Sequence, residues 1–115
     1  MAYFGKPNLA HIIKIFLSCA DEDEEFLHGL ERPLSSLRRE GYIESWHRYK
    51  VSPGSEWQDL AKKYLSIADL ILLLISPHFI ASDYCYGEEA SHAMSQHESG
   101  KAHVIPTILD TQHRV

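Results

Sequence analysis

The chain has 115 residues, of which 44% are hydrophobic and 23% charged, so it can form one domain with its own core but not two. Its formal net charge of −5 argues against a nucleic-acid partner, because phosphate binding requires clustered lysine and arginine. No run approaches the roughly 20 apolar residues of a membrane span, and the N-terminus lacks a signal-peptide pattern, so we expect a cytoplasmic protein without a membrane partner.

The first half of the chain predicts two strands separated by a helix. Residues 11–17 are β-branched and nearly continuously apolar, as in a strand buried on both faces. The acidic cluster 21–25 suits the first turn of a helix, where the dipole favours carboxylates. Apolar residues at helical spacing follow, and Pro33 falls inside them, where it should kink or divide the helix. Gly41 ends that helix, and residues 42–46 form a short second strand.

A polar loop connects the second strand to a second helix. Residues 47–54 contain a Ser-Pro-Gly turn, and Ser55 with Gln58 forms a capping box. Apolar residues then share one helical face as far as Ala68. The third strand, residues 70–76, is the most apolar segment and is therefore predicted to be central.

The last part of the chain predicts a further helix and a fourth strand. After a turn with a short helical piece, Ser82 and Asp83 are candidate caps of a helix that ends before Gly100. Residues 103–109 form the last strand. The alternation of strands and helices predicts a parallel sheet with helices on both faces. Ligands of such sheets bind beyond the carboxyl ends of the strands, so we look there for function.

Several chemistries lack their sequence motifs. No glycine-rich phosphate loop follows the first strand, and the third strand ends in Ser76 where a phosphoacceptor domain needs an aspartate. His92 and His97 are five residues apart and off a common helical face, so no metal site is expected. Ser18 and Ser76 follow strands, but neither lies in a G-x-S-x-G turn.

Two neighbouring glutamates remain as candidates for chemistry. Glu88 and Glu89 lie in the first turns of the helix after the third strand. Cys85, Glu89 and Ala93 fall on one helical face, so Glu89 points nearer the packed side than Glu88. The pattern leaves two interpretations, which are solvated acids favoured by the helix dipole and a partly buried carboxylate beside a cleft.

Several segments, taken in order and spacing, resemble a bacterial-type Toll/interleukin receptor (TIR) domain over about residues 12–110. The segments are Phe-Leu-Ser-Cys-Ala (16–20), Trp-His (46–47), Ser-Pro-Gly (52–54), Ser-Pro-His-Phe-Ile-Ala-Ser-Asp-Tyr-Cys (76–85) and Val-Ile-Pro-Thr-Ile-Leu (104–109). The resemblance implies a single domain over residues 1–115, with its core at about 11–110. It also implies an α/β, flavodoxin-like, doubly wound parallel sheet.

The resemblance further implies an enzyme that cleaves the nicotinamide–ribose bond of NAD+, with NAD+ as substrate and neither cofactor nor metal. The family's essential glutamate falls on Glu89, with Glu88 as the alternative if the register slips by one residue. The residues expected to line the substrate pocket are Phe16, Ser18, Cys19, Trp46 and Cys85. The residues expected in the self-association loop are Arg48, Ser52, Pro53 and Gly54.

Three departures from the family pattern affect these expectations. Cys19 stands where an aromatic residue is usual, and Arg48 stands where an aspartate commonly follows Trp-His. The chain stops at Val115, before the family's last strand and helix, so it is a minimal domain or the excised N-terminal part of a longer protein. A fused or separate sensor of a nucleotide second messenger, acting in antiphage immunity, is implied for such proteins. The alternative is a non-catalytic module that acts by TIR–TIR association.

Overall fold

A computed structural model describes residues 12–51 and 56–109, in which four strands alternate with helices. The strands are β1 (Ile13–Ser18), β2 (Ile43–Trp46), β3 (Leu70–Ile75) and β4 (His103–Ile108). The α-helices are α1 (Glu24–Arg39), α2 (Trp57–Ile67), α3 (Pro77–Ala81) and α4 (Ala90–Glu98). A π-helical segment (Asp83–Glu89) leads directly into α4, and short 3-10 turns span Asp21–Asp23 and Arg48–Lys50.

The four strands form one parallel sheet in the order β2-β1-β3-β4. Ile13 pairs with Ile43, and Leu70 lies between Ile15 and His103. The predicted parallel α/β, flavodoxin-like arrangement is therefore confirmed, and β3 is one of the two central strands, as its apolar sequence predicted.

Each face of the sheet carries its own hydrophobic core, because successive strand side chains point to opposite faces. Helices α2 and α4 cover one face, and α1 covers the other. The buried residues of the first core include Phe16, Leu65, Ile71, Phe79, Cys85 and Ala93. Those of the second are Ile15, Leu17, Cys19, Leu27, Ile43 and Leu74.

The ends of α1 and α4 each require a glycine in the left-handed region. Gly41 has φ 86° and Gly100 has φ 77°. At the end of α1, the Tyr42 N–H donates to the Leu37 carbonyl at 3.0 Å, and the Gly41 N–H donates to the Arg38 carbonyl at 3.1 Å. This six-residue reversal satisfies the last helical carbonyls and turns the chain into β2. The predicted end of the first helix at Gly41 is confirmed.

Helix α1 departs from the sequence prediction because Pro33 does not divide it. Proline removes the hydrogen bond that its own N–H would make to the carbonyl of Gly29. Both residues are exposed, so water can hydrate that carbonyl. Packing of Leu27, Leu30 and Leu34 against the sheet holds the helix across this position.

Two further expectations from the sequence concern the capping box before α2 and membrane-spanning segments. The predicted capping box rests on Ser55, which lies outside the described residues. None of the helices in the described segments is long and apolar enough to cross a membrane.

Candidate active site

The candidate site lies where β1 and β3 end side by side. The chain leaves β1 toward β2 on one side, whereas β3 continues toward β4 on the other. The connections therefore diverge between these two strands, which opens a crevice at their carboxyl ends. Ser18, the last residue of β1, and Ser76, which follows β3, are both buried in it.

The π-helical segment directs Glu89 into this crevice. Ser82 begins the segment, and its hydroxyl accepts a hydrogen bond from the Cys85 N–H at 3.1 Å. At its end the Ala90 N–H bonds to the Cys85 carbonyl, five residues back. Cys85 and Glu89 are buried, whereas Glu88 is exposed. The face predicted from the helical pattern is therefore the inward one.

Glu89 is 5% exposed, and its carboxylate accepts a hydrogen bond from the Ser18 hydroxyl at 2.5 Å. Burial raises the pKa of Glu89 above its usual range, because desolvation disfavours the charged form. Hydrogen bonds from Ser18 and Tyr84 and the charge of Arg48 act in the opposite direction. Protein groups placed around Glu89 thus partly offset the cost of burying an ionised carboxylate.

A second buried serine–carboxylate pair mirrors the first. The Ser76 hydroxyl, at the end of β3, donates to the carboxylate of Asp23, which follows β1. The same hydroxyl accepts from the Phe79 N–H at 3.1 Å and so caps α3. Sequence reasoning assigned Asp23 to a helix dipole and missed this pair, because its two members are 53 residues apart.

Arg48 is held by one carboxylate and by aromatic rings. Its guanidinium forms an ion pair with Asp21 and donates to the Tyr49 hydroxyl at 3.0 Å, and that hydroxyl donates to Asp21 at 2.6 Å. The guanidinium carbon lies 5.1 Å from the ring centre of Tyr49, 5.2 Å from that of Trp57 and 6.0 Å from that of Tyr84. The hydrogen bonds from Tyr49 and Arg48 lower the pKa of Asp21.

An open cavity of about 510 Å³ adjoins this cluster. The residues lining it are Asp21, Glu24, Arg48, Tyr49, Val51, Trp57, Gln58, Ser82 and Tyr84. A narrower cleft, with no room for a water molecule between its described walls, lies beside it. The residues lining the cleft are Leu17, Ser18, Cys19, Leu27, Arg48, Tyr49 and Glu89. Arg48 and Tyr49 line both spaces and therefore stand between the open cavity and Glu89.

The five predicted pocket residues divide into two groups: two line the cleft, and three, including Cys85, belong to the core under α2. Ser18 and Cys19 line the cleft with Glu89. Phe16 and Trp46 instead stack on each other with ring centres 5.4 Å apart, within the core under α2. Neither is among the described residues that line the open cavity or the cleft beside it.

The two cysteines, distant in sequence, meet at the site as free, buried thiols. The Cys85 thiol donates to the Cys19 carbonyl at 3.4 Å. Burial raises the pKa of Cys19 to about 12, so this thiol stays protonated and poorly nucleophilic at neutral pH.

One cluster of metal-ligand types was not predicted. His28, Glu31 and His47 bring ligand atoms within 4.8 Å of one another. The Tyr49 N–H donates to Nδ1 of His47 at 3.2 Å, so the ring proton lies on Nε2, which donates to Glu31 at 2.9 Å. A metal on Nε2 would have to displace this proton from a ring whose other nitrogen is already an acceptor. The arrangement suits a buried hydrogen-bond network better than a metal site.

The expected self-association loop lies mostly outside the described residues. Arg48 is described above, but Ser52, Pro53 and Gly54 are not among the described residues. The assignment of this loop to assembly stays a prediction.

Comparison with known proteins agrees with this architecture. A family model described as "TIR domain" matches residues 15–115. The "Uncharacterized protein y4lF" of Sinorhizobium fredii (strain NBRC 101917 / NGR234) is 44% identical over 95 residues. That match covers 83% of this chain and 29% of the relative, so the chain spans less than a third of the relative's length.

Proposed function

Because the chain belongs to the TIR domain family, we propose that it cleaves the nicotinamide–ribose bond of NAD+ and releases nicotinamide and ADP-ribose, linear or cyclic. One observation carries the proposal: a buried carboxylate, Glu89, is held by Ser18 at the carboxyl edge of the sheet and next to a cavity of about 510 Å³. Buried carboxylates beside clefts are typical of functional sites.

A single carboxylate suffices for this reaction. Glycosidases usually need an acid as well as a base or nucleophile, because an alkoxide is a poor leaving group. The nicotinamide of NAD+ is already a cationic pyridinium and departs as a neutral molecule, so it needs no protonation. The ribose is left with oxocarbenium character, and an ionised Glu89 stabilises that charge. Water then attacks the anomeric carbon and releases one proton to solvent to give linear ADP-ribose, or the adenine of the same molecule attacks to give the cyclic product.

The surroundings of Glu89 suit this role. The carboxylate must be ionised when positive charge develops on the ribose. Hydrogen bonds from Ser18 and Tyr84 favour the ionised form, although burial raises the pKa of the group. These fixed donors leave the carboxylate oriented before the substrate arrives, which reduces reorganisation in the transition state.

The decisive experiment compares substitutions at the two neighbouring glutamates. Glu89→Gln should lower the rate of nicotinamide release from NAD+ by about 10²–10³-fold, since it removes the charge that the transition state needs. Glu88→Gln is the matched control, because Glu88 is exposed one residue earlier, and it should retain the wild-type rate. Loss of activity in Glu88→Gln alone would move the catalytic role to that residue.

We further propose that the activity serves antiphage immunity in the cytoplasm and depends on self-association. The loop containing Arg48, Ser52, Pro53 and Gly54 would supply the contact between copies. A fused or separate sensor of a nucleotide second messenger would drive the assembly.

A non-catalytic interaction module is the second candidate function. The observation favouring it is that Glu89 does not line the open cavity, and that the cleft it shares with Arg48 and Tyr49 has no room for a water molecule between its described walls. Absence of NAD+ cleavage at all protein concentrations, with self-association retained, would support the module over the enzyme.

A further inference from the structure

We propose that the open cavity is an aromatic cage for an organic cation and that Arg48 occupies it as a resident competitor. The identity of the cation that would replace Arg48 rests on the proposed function: it is the pyridinium ring of NAD+. Arg48 must leave before that ring can enter. On this proposal the rings and carboxylates of the cage select a cation, and Arg48 accounts for the resting inactivity of the site.

The first argument is the geometry around the guanidinium. Tyr49, Trp57 and Tyr84 have ring centres within 5.1–6.0 Å of its central carbon. Several aromatic rings around one cationic group form the arrangement that binds quaternary ammonium ligands. A planar guanidinium and a pyridinium are similar in charge and flatness, so the same rings suit either.

The second argument is the charge of the described cavity lining. Asp21 and Glu24 contribute two carboxylates, and Arg48 contributes the single lysine or arginine cation among the described lining residues. The lining thus carries a net charge of −1 with Arg48 in place and −2 once its side chain has left. A vacated cage would attract a cation more strongly than the occupied one.

The third argument is position. Arg48 lines both the open cavity and the cleft that contains Glu89. Its side chain is 14% exposed, and its Nη1 lies 3.9 Å from the sulfur of Cys85, one helical turn before Glu89. Displacing this side chain would free the cage and also open the space between the cavity and the carboxylate.

The opposite assignment, in which Arg48 grips a phosphate of the substrate, fits these observations less well. The donors of the guanidinium already face Asp21, the Tyr49 hydroxyl and the Cys85 sulfur. A phosphate placed there would have to approach two carboxylates, at a cost in electrostatic repulsion.

The test measures binding of 1-methylnicotinamide, a cation, and of nicotinamide, its neutral analogue, by titration calorimetry. Arg48→Ala should bind the cation at least about tenfold more tightly than the wild type, because the resident competitor no longer reduces the available fraction of sites. Affinity for neutral nicotinamide should change less than about threefold. Arg39→Ala, which removes an exposed arginine from α1, is the matched control and should bind both ligands as the wild type does.

Unchanged or weaker binding of the cation by Arg48→Ala would overturn the proposal. An equal gain in affinity for both ligands would also overturn it, because it would show that removing Arg48 only frees space. If Arg48→Ala does not fold, Arg48→Gln, which keeps most of the volume without the charge, is measured instead and should still favour the cation. The measurement requires no turnover. If Arg48→Ala binds the cation more tightly but the protein never cleaves NAD+, the cage stands and the proposed function fails. If the protein cleaves NAD+ but Arg48→Ala gains no affinity for the cation, the proposed function stands and the cage fails.

Discussion

At the scale of single residues, the site concentrates two buried carboxylates that the fold stabilises unequally. Asp23 is 2% exposed, and its serine partner also caps a helix, so its interactions are part of the scaffold. Glu89 is nearly as buried, but burial outweighs its hydrogen bonds and raises its pKa. A carboxylate whose burial is incompletely offset lowers stability, which proteins tolerate where function requires the charge.

Glu89→Gln should therefore stabilise the protein at neutral pH. Because the folded-state pKa of Glu89 lies above its unfolded value of 4.5, the wild type loses stability as pH rises through the folded-state pKa. The amide can still accept the Ser18 hydroxyl and carries no charge. We expect a gain of roughly 0.5–2 kcal/mol in the free energy of unfolding at pH 8, and almost none at pH 4.

Urea denaturation of both proteins at the two pH values tests this expectation. Other titrating groups are common to the two proteins, so they cancel in the difference. Glu88→Gln should show little change at either pH, since that side chain is exposed. A difference between wild type and Glu89→Gln that shrinks as pH rises would contradict the assigned direction.

At the scale of elements, the sequence predicts the strands and helices well and the site only in part. Apolar periodicity identifies β1, β3 and the inward position of Glu89, because these depend on neighbours within one element. The pairing of Arg48 with Asp21 joins residues that are 27 positions apart in the sequence, so it depends on how the fold brings their two segments together. The π-helical turn and the undivided α1 likewise depend on tertiary packing rather than on local propensity.

Two glycines in or next to helices should respond to substitution by alanine in opposite directions. Gly100 has φ 77° and open space around its missing side chain, so Gly100→Ala isolates the backbone cost and should lower the free energy of unfolding by about 1 kcal/mol. Gly29 lies inside α1, also with open space, so Gly29→Ala should raise that free energy by about 0.5–1 kcal/mol. Thermal or urea unfolding of both variants checks the two signs, and a stabilising Gly100→Ala would mean that the end of α4 is not held as described.

At the scale of the whole molecule, the parallel sheet is a scaffold that gathers four distant segments. Residues after β1, after β2, at the start of α2 and in the π-helical segment all reach the same edge. The segment after β2 carries the resident cation and also leads directly into the expected self-association loop. If this loop forms the proposed contact between copies, assembly would act on the position of Arg48 and so couple to opening of the site.

This coupling predicts how activity depends on protein concentration. Wild-type activity per molecule should rise with concentration, whereas Arg48→Ala should reach a given activity at a concentration lower by about tenfold, because no side chain has to leave its cage.

The loop variants test the assembly surface. Pro53→Ala and Gly54→Ala should lower both self-association and activity per molecule, and Arg39→Ala on α1 should match the wild type in both. Sedimentation velocity and nicotinamide release, measured on the same samples, test the scheme. If the two loop variants assemble and turn over like the wild type, the loop is not the assembly surface. If Arg48→Ala follows the wild-type concentration dependence, assembly does not act through Arg48.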